Sequence, residues 1–390
     1  MYKRQGDRFT TVPAAVGVSH GFDSSMAELT RYRRMIRRKN KDNESLAIIF
    51  NDYMNCLWGN PTAEKEYPLI DAAAEAGCEY FCIDAGWYSA GIWWDNVGEW
   101  QESRERFPEG MKKVTDYIRS KGLIPGVWLE IEVMGINCPK AKNVPDDWFF
   151  MRHGKKVYDR SRYQLDFRNP EVVAHADEVI DRLVRDYGVG YIKMDYNIEP
   201  GIGTEINAES VGDGLLQHER AYLSWLDRVF ERYPDLIIEN CSSGGMRIDY
   251  AMLQRHSMLL RIHQSGHLVY ISDERKALVK EALDCYKDIR GDIKTAVPFW
   301  CLGLSEFSDP WVSLGLKCEN KLYLALWRRN SEKSGIVLDL AKYTDGRGGE
   351  AKLLYPSFGE CEFEYNSELS RLTVNMPREY SARLFEIELD

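Results

Sequence analysis

Several features that would assign this 390-residue sequence to other protein classes are missing. No apolar run reaches the roughly 18 residues that a membrane-spanning helix needs, so we expect no membrane partner. Asp and Glu (61) outnumber Lys and Arg (51), and this excess argues against nucleic-acid binding, because neutralising phosphates requires a basic surface. The basic residues near the start are not followed by the apolar core of a signal peptide, which predicts a cytoplasmic protein.

Short-spaced metal and cofactor motifs are also missing. None of the nine cysteines forms a Cys-x-x-Cys pair, and histidine occurs only seven times, so the sequence predicts buried free thiols rather than a zinc site. No Gly-x-Gly-x-x-Gly motif follows the first strand-like run, which excludes the usual dinucleotide fingerprint. We therefore expect neither a metal nor a cofactor.

The segment after Leu46 has a strand–helix rhythm. Strand-like runs at 46–53, 79–87, 123–133, 163–167, 189–197 and 236–243 alternate with helical segments. Six β-units of this kind predict an α/β fold with a (β/α)8 TIM-type barrel that is incomplete by two units. From Asn320 the pattern changes to apolar–polar alternation, which is typical of a small antiparallel β-domain. We expect a linker and helix left from an N-terminal domain at 1–45, the barrel at 46–310 and the β-domain at 311–390.

Chemically useful side chains lie at the ends of the predicted strands. In the run YIKMDYN, Lys193, Asp195 and Asn197 share one face of a strand, and Lys193 would keep Asp195 ionised. An ionised carboxylate held in place is what a covalent glycosidase nucleophile requires. A purely structural ion pair inside the barrel is the alternative.

The other strand ends add candidates for substrate binding. Glu130 lies in WLEIE, where a carboxylate cluster could instead bind Mg²⁺ or Ca²⁺, although the scarcity of His makes this the weaker interpretation. Cys241 is either a thiol nucleophile or a small pocket-lining side chain, and the second reading is favoured because no His lies near it in sequence. Flat indole faces suit a sugar ring. The further candidates are Asp52, Trp58, Asp84, Trp87, Trp128, Arg160 and Gly244.

Six motifs in order resemble those of glycoside hydrolase family 36, the α-galactosidases and their relatives. They are IDAGW (83–87), GEWQESRERFPEGM (98–111), VWLEIE (127–132), RSRYQLD (160–166), YIKMDYN (191–197) and ENCSSGGMRID (239–249). The resemblance implies a catalytic barrel between an N-terminal β-sandwich and a C-terminal β-domain. It also implies hydrolysis of terminal α-galactosides of the raffinose and melibiose type, with retention, by two Asp residues and no metal. Family members often oligomerise, so a homo-oligomer is a further expectation.

Carried over residue by residue, the resemblance gives each motif a role. Asp195 resembles the nucleophile, Lys193 the lysine that holds sugar hydroxyls, and Asp84 the first acid of the family's Asp-Asp-Gly-Trp. Trp128 resembles a tryptophan of the pocket wall, and Arg160 an arginine six positions before the Asp of its motif. Cys241 and Gly244 resemble residues of the pocket floor.

Three departures from the family pattern stand out. Ala85 replaces the second acid of Asp-Asp-Gly-Trp, which weakens the expectation of strict galactose specificity, and the large N-terminal sandwich is missing. The Ser-Asp-x-x-Asp stretch that carries the family's acid/base is missing as well, because 251–257 runs directly into 258–268. The nearby Ser272–Asp273 pair is better read as a helix cap. A related α-glycosidase or transglycosylase of other sugar specificity, and a non-catalytic sugar-binding protein, therefore remain alternatives.

Overall fold

The computed structural model describes residues 6, 8–257 and 263–390, and the chain divides into two units. One unit comprises Ile36–Lys294 with Tyr355–Ser357. The other comprises Met1–Met35, Thr295–Leu354 and Phe358–Asp390. In the described ranges, no helix is both long enough and apolar enough to cross a membrane.

A curled, six-stranded parallel sheet forms the centre of the first unit. Its strands are β1 (Ile49–Asn51), β2 (Tyr80–Ile83), β3 (Ile124–Leu129), β4 (Tyr191–Met194), β5 (Ile237–Asn240) and β6 (His263–Ser265). Their order in space is β5-β4-β3-β2-β1-β6, and every neighbouring pair is parallel. Over the described residues β5 and β6 are the two edges, so the sheet is a half-barrel that is open between them.

One of the six predicted barrel strands lies elsewhere. The run at 163–167 was expected in the barrel, but Arg162–Gln164 pairs antiparallel with Val133–Gly135 and with Tyr158–Asp159 in a separate small sheet. The cause is a tight hairpin in which Arg160 and Ser161 both have left-handed backbone angles, which reverses the chain. Five parallel units therefore lie between 46 and 243, and the sixth is β6.

Capped helices cover the outer face of the sheet. Thr62, Asn169, Ser210 and Ser272 each accept a hydrogen bond from a first-turn N–H, so the prediction of a helix cap at Ser272 is confirmed. The helices of this unit are Asp42–Ser45, Ala63–Ala76, Met111–Ser120, Pro170–Asp181, Val211–Arg232, Tyr250–Leu253 and Asp273–Ile293. Shorter turns occupy Tyr53–Leu57, Trp93–Asn96, Pro139–Lys142, Asp146–Trp148 and Arg182–Asp186, and a two-stranded hairpin joins Met151–Arg152 to Lys155–Lys156.

The second unit contains the antiparallel β-structure that the alternating pattern predicted. A five-stranded sheet has the order Val297–Phe299, Trp311–Lys317, Lys321–Arg328, Ser381–Leu389 and Gly349–Tyr355. A three-stranded sheet has the order Gly335–Asp339, Arg371–Asn375 and Glu362–Asn366. Their shared core includes Leu324, Leu338, Leu372 and Phe385. The helices are Gly21–Ile36, whose last residue belongs to the first unit, and Ala341–Thr344.

The interior of the half-barrel is tightly filled near the start of its strands. Ile49, Tyr80, Tyr191 and Ile237 pack together there from four strands. Gly126 on β3 faces the same layer, and a Cβ at this position would lie 2.2 Å from Cδ1 of Tyr191. A glycine is therefore required by the close approach of the aromatic ring.

We expect Gly126→Ala to lower the free energy of unfolding by about 1–3 kcal/mol, because the added methyl group overpacks this layer. Urea unfolding followed by tryptophan fluorescence measures the change. Gly212→Ala is the matched control, since a Cβ there meets no atom within 4 Å. Equal stability of the two variants would contradict the packing described for the half-barrel.

Candidate active site

Ionisable side chains lie together at the carboxyl ends of the parallel strands. Asp52, Asp84, Glu130, Asp195 and Cys241 each follow the last residue of a strand, from β1 to β5 in that order. Because the strands are parallel, their carboxyl ends lie on the same side, which is the position of the active site in barrels of this type. The structure therefore brings together predicted residues that are up to 189 positions apart in sequence (241 − 52).

Asp195 is buried and held by three N–H donors. Its Oδ2 accepts a hydrogen bond from Nε1 of Trp128 (3.0 Å), and its Oδ1 accepts from the backbone N–H groups of Ser243 (2.7 Å) and Tyr196 (2.8 Å). Burial alone would raise the pKa of Asp195, but the Ser243 and Trp128 donors, with the charge of Lys193, hold it below its usual value. The carboxylate is therefore ionised at neutral pH.

Lys193 makes its direct ion pair with Asp84 rather than with Asp195. Its Nζ lies 2.8 Å from Oδ2 of Asp84, and Nδ2 of Asn51 donates to the same oxygen at 2.6 Å. Burial alone would lower the pKa of Lys193, but the carboxylate of Asp84 raises it well above its usual value. The backbone N–H of Ala85 donates to the other oxygen of Asp84. Lys193 therefore lowers the pKa of Asp195 through its charge alone, and this effect is smaller than that of the Ser243 and Trp128 N–H donors.

Sequence reasoning missed Ser243, because a backbone N–H leaves no signal in side-chain identity. The residue has a left-handed φ of 52°, and the turn that contains it is anchored by Arg247, whose guanidinium forms two hydrogen bonds with the buried carboxylate of Glu132. Burial opposes ionisation of Glu132, but Arg247 lowers its pKa to about 2. Gly244, the next residue in the chain after Ser243, is exposed and has a φ of 86°, and its approach to the ligand stays a prediction.

Glu130 is enclosed by protein at the end of β3. Its side chain is fully buried, with Oε2 2.9 Å from Nε of Arg162 and Oε1 accepting from the backbone N–H of Asn197 (2.6 Å). Burial raises the pKa of Glu130 to about 7, against the opposing effect of Arg162. Glu130 has no exposed surface and supports the segment after Asp195, and its contact with substrate stays a prediction.

A chain of aromatic contacts leads from solvent to the carboxylate. Trp58 is 55% exposed and contacts Tyr53, which contacts Trp93, which in turn contacts Trp128, with ring centroids 5.6, 6.1 and 5.8 Å apart. Trp87 has no exposed surface and donates from Nε1 to the carbonyl of Trp128 at 3.0 Å. Trp87 therefore supports Trp128, and its contact with substrate stays a prediction.

The remaining predicted residues surround these groups. Arg160 is partly exposed and donates to the carbonyl of Asn197 at 3.3 Å. Burial, together with the charge of Asp195, raises the pKa of Cys241 to about 12, so its thiol is protonated and a poor nucleophile at neutral pH. Asp52 is buried, and its Oδ1 accepts from the backbone N–H of Asp84 at 2.7 Å.

The described part of the chain contains no group of three or more His, Cys, Asp or Glu that could hold a metal ion. The junction predicted at 257–258 is described only up to Ser257, because 258–262 lie outside the described residues. On the described side, Ser257 donates from its backbone N–H to the carbonyl of Ile238 at 2.9 Å, along the open edge of β5.

The sequence is similar to a known protein family and to curated proteins. The melibiase family model matches residues 12–265. The α-galactosidase Mel36A of Lactobacillus acidophilus is 27% identical over 222 residues, which are 56% of this chain and 30% of that protein. The α-galactosidase AgaA of Geobacillus stearothermophilus is 27% identical over 243 residues, or 60% of this chain and 32% of that protein. The chain thus spans about a third of the length of the curated relatives it matches.

Solved structures agree on the fold. A variant of AgaA from Geobacillus stearothermophilus in complex with stachyose superposes with a TM-score of 0.80 at 16% identity, covering 94% of this chain and 59% of that one. An α-galactosidase from Lactobacillus brevis superposes with a TM-score of 0.78 at 13% identity, covering 96% and 59%. Because the family model matches more than half of the sequence, the chain belongs to the melibiase family.

Proposed function

We propose that this protein is a retaining glycoside hydrolase of terminal α-galactosides, with Asp195 as the nucleophile. The observation that carries the proposal is the buried Asp195 carboxylate, which three N–H donors hold ionised beside the Lys193–Asp84 ion pair. The α-galactosidase names of the relatives support the sugar, and the stachyose and raffinose complexes of AgaA support oligosaccharide substrates. A cytoplasmic location and a homo-oligomeric state are parts of the same proposal.

In this mechanism the Asp195 carboxylate attacks the anomeric carbon while the bond to the leaving oxygen breaks. Trp128 and Ser243 keep the attacking oxygens ionised and oriented, and the charges of Lys193 and Asp84 are available to sugar hydroxyls. Water then attacks the glycosyl–enzyme ester and releases the sugar with its original configuration. An unactivated leaving oxygen must also receive a proton, from an acid expected about 5–5.5 Å from Asp195.

A non-catalytic sugar-binding protein is the second candidate. It is favoured by the opening between β5 and β6 in the described ranges, where a complete barrel has further strands, and by the missing acid motif after 257. A related glycosidase or transglycosylase for another sugar is favoured by Ala85, which supplies a backbone N–H but no second carboxylate beside Asp84. The three experiments below separate these candidates.

The nucleophile is tested with an activated aryl α-galactoside, whose leaving group does not need a proton. We expect Asp195→Asn to lower kcat by on the order of 10⁴-fold, because the amide cannot form the covalent ester. Asp186→Asn, an exposed position downstream of Pro170–Asp181, is the matched control and should keep wild-type turnover. Absence of turnover in wild type as well as in Asp195→Asn would argue for the sugar-binding protein, whereas equal measurable rates would mean that another group is the nucleophile.

The charge state of the nucleophile is tested by the pH profile. Trp128→Phe removes the Nε1–H donor that stabilises the ionised carboxylate, so the pKa of Asp195 should rise. A hydrogen bond to a charged group contributes about 1.5–3 kcal/mol, which corresponds to roughly 1–2 pH units. We expect the acidic limb of kcat/KM for the aryl substrate to move upward by this amount. An unchanged limb would mean that the indole does not set the charge of Asp195.

The presence of an acid is tested by comparing substrates. The quantity compared is the ratio of kcat/KM for raffinose to kcat/KM for the aryl galactoside. If the chain supplies no acid, this ratio should be about 10²–10⁴-fold lower than in a relative that has an acid. AgaA of Geobacillus stearothermophilus is the reference enzyme. A ratio equal to that of AgaA would show that a residue of this chain protonates the leaving group. Parallel assays with aryl α-glucoside and other aryl α-glycosides measure the sugar specificity, which Ala85 is expected to change.

A further inference from the structure

A pair of buried carboxyl groups lies beneath the candidate site. Asp52 follows β1, and Glu66 lies in the first turns of helix Ala63–Ala76; both side chains are almost completely excluded from solvent. The two carboxyl groups are close enough that each perturbs the pKa of the other. Among the described residues, no N–H or hydroxyl donor reaches Oδ2 of Asp52 or either carboxyl oxygen of Glu66. A hydrogen bond between two carboxyl groups requires a proton on one of them.

The surroundings favour keeping that proton. The charged groups that face Asp52 are Asp84, from the end of β2, and Lys193, from β4, and these two neutralise each other through their ion pair. Lys65 is the cation that acts on Glu66, from the adjacent position of the same helix. The thiol of Cys56 also lies near both carboxyl groups, and burial, with these acids, raises its pKa to about 12. Two buried carboxylates without a dedicated cation would repel each other.

Asp52 connects this pair to the candidate site. Its Oδ1 accepts the backbone N–H of Asp84, and the side chain of Asp84 pairs with Lys193. The connection thus runs from Glu66 through Asp52 to the backbone of Asp84. Movement of the Asp52 carboxyl would displace the end of β2, which holds the ion pair.

We propose that Glu66 retains its proton at neutral pH, donates it to Asp52, and so acts as a positioning residue for the Asp84–Lys193 pair. The effect on catalysis rests on the proposed function, whereas the protonation of Glu66 does not. Glu66 has no exposed surface and acts only through Asp52.

The pKa directions are consistent with this assignment. Burial raises the pKa of Asp52 to about 7 and that of Glu66 well above its usual value. In the unfolded chain a glutamate loses its proton near pH 4.3, whereas folded Glu66 keeps it. At this position the folded protein therefore binds more protons than the unfolded chain, so the contribution of Glu66 to stability falls as the pH rises from about 4.3 toward its folded-state pKa.

The first experiment measures this linkage with Glu66→Gln, whose amide also donates a hydrogen bond but does not titrate. From pH 5 to pH 7, the unfolding equilibrium constant of wild type, divided by that of Glu66→Gln, should increase about tenfold per pH unit. Glu64→Gln, at an exposed position of the same helix, is the matched control and should show no such trend. A pH-independent ratio for Glu66→Gln would overturn the proposal, because it would mean that folded Glu66 is ionised.

The second experiment separates positioning from simple stability. Glu66→Gln should keep KM and kcat for the aryl α-galactoside within about twofold of wild type at pH 7. Glu66→Leu removes the donor and should raise KM about tenfold with a smaller change in kcat, because the Asp84–Lys193 pair is displaced. Equal KM values for folded Glu66→Leu and wild type would overturn the positioning role. Absence of wild-type turnover would instead count against the proposed function, while the unfolding ratios would still decide whether Glu66 is protonated.

Discussion

Lys193 and Asp84 lie on strands that are not neighbours, and each charge is nearly excluded from water, so each depends on the other. Leaving one of them unpaired at such a site costs about 3–5 kcal/mol. The pair therefore fixes the distance between the ends of β2 and β4 across β3. Asp195 directly follows the last residue of β4, so this constraint also determines where its carboxylate lies relative to Asp84.

The site has an inner set of residues and a buried support. Asp195, Lys193 and Trp58 retain some exposure, whereas Trp87 and Glu130 are covered completely. The covered residues still act on the site through single contacts: Trp87 holds Trp128 and Glu130 holds the backbone of Asn197. A side chain without exposed surface can thus shape the site through the group that it holds.

What the sequence could predict follows from how each contact is made. The two-residue period of a strand places Lys193 and Asp195 on one face, and parallel strands bring their carboxyl ends together, so the carboxylate ring was predictable. The contact from Ser243 was not, because it uses a backbone N–H. The hairpin at Arg160–Ser161 was missed because neither residue is the Gly or Asn that usually marks such a turn. Glu66 gave no signal because burial of one helical carboxyl group depends on tertiary packing.

The role proposed for Asp195 is that of a nucleophile rather than of a structural carboxylate. The most direct measurement uses a fluorinated α-galactoside with a good leaving group, which forms the glycosyl ester but slows its hydrolysis. Peptide mass spectrometry of the treated protein then locates the added sugar. We expect a sugar ester on the Asp195 side chain and no label in Asp195→Asn. A label on another carboxylate, or turnover of the unfluorinated aryl substrate without any covalent label, would contradict this role.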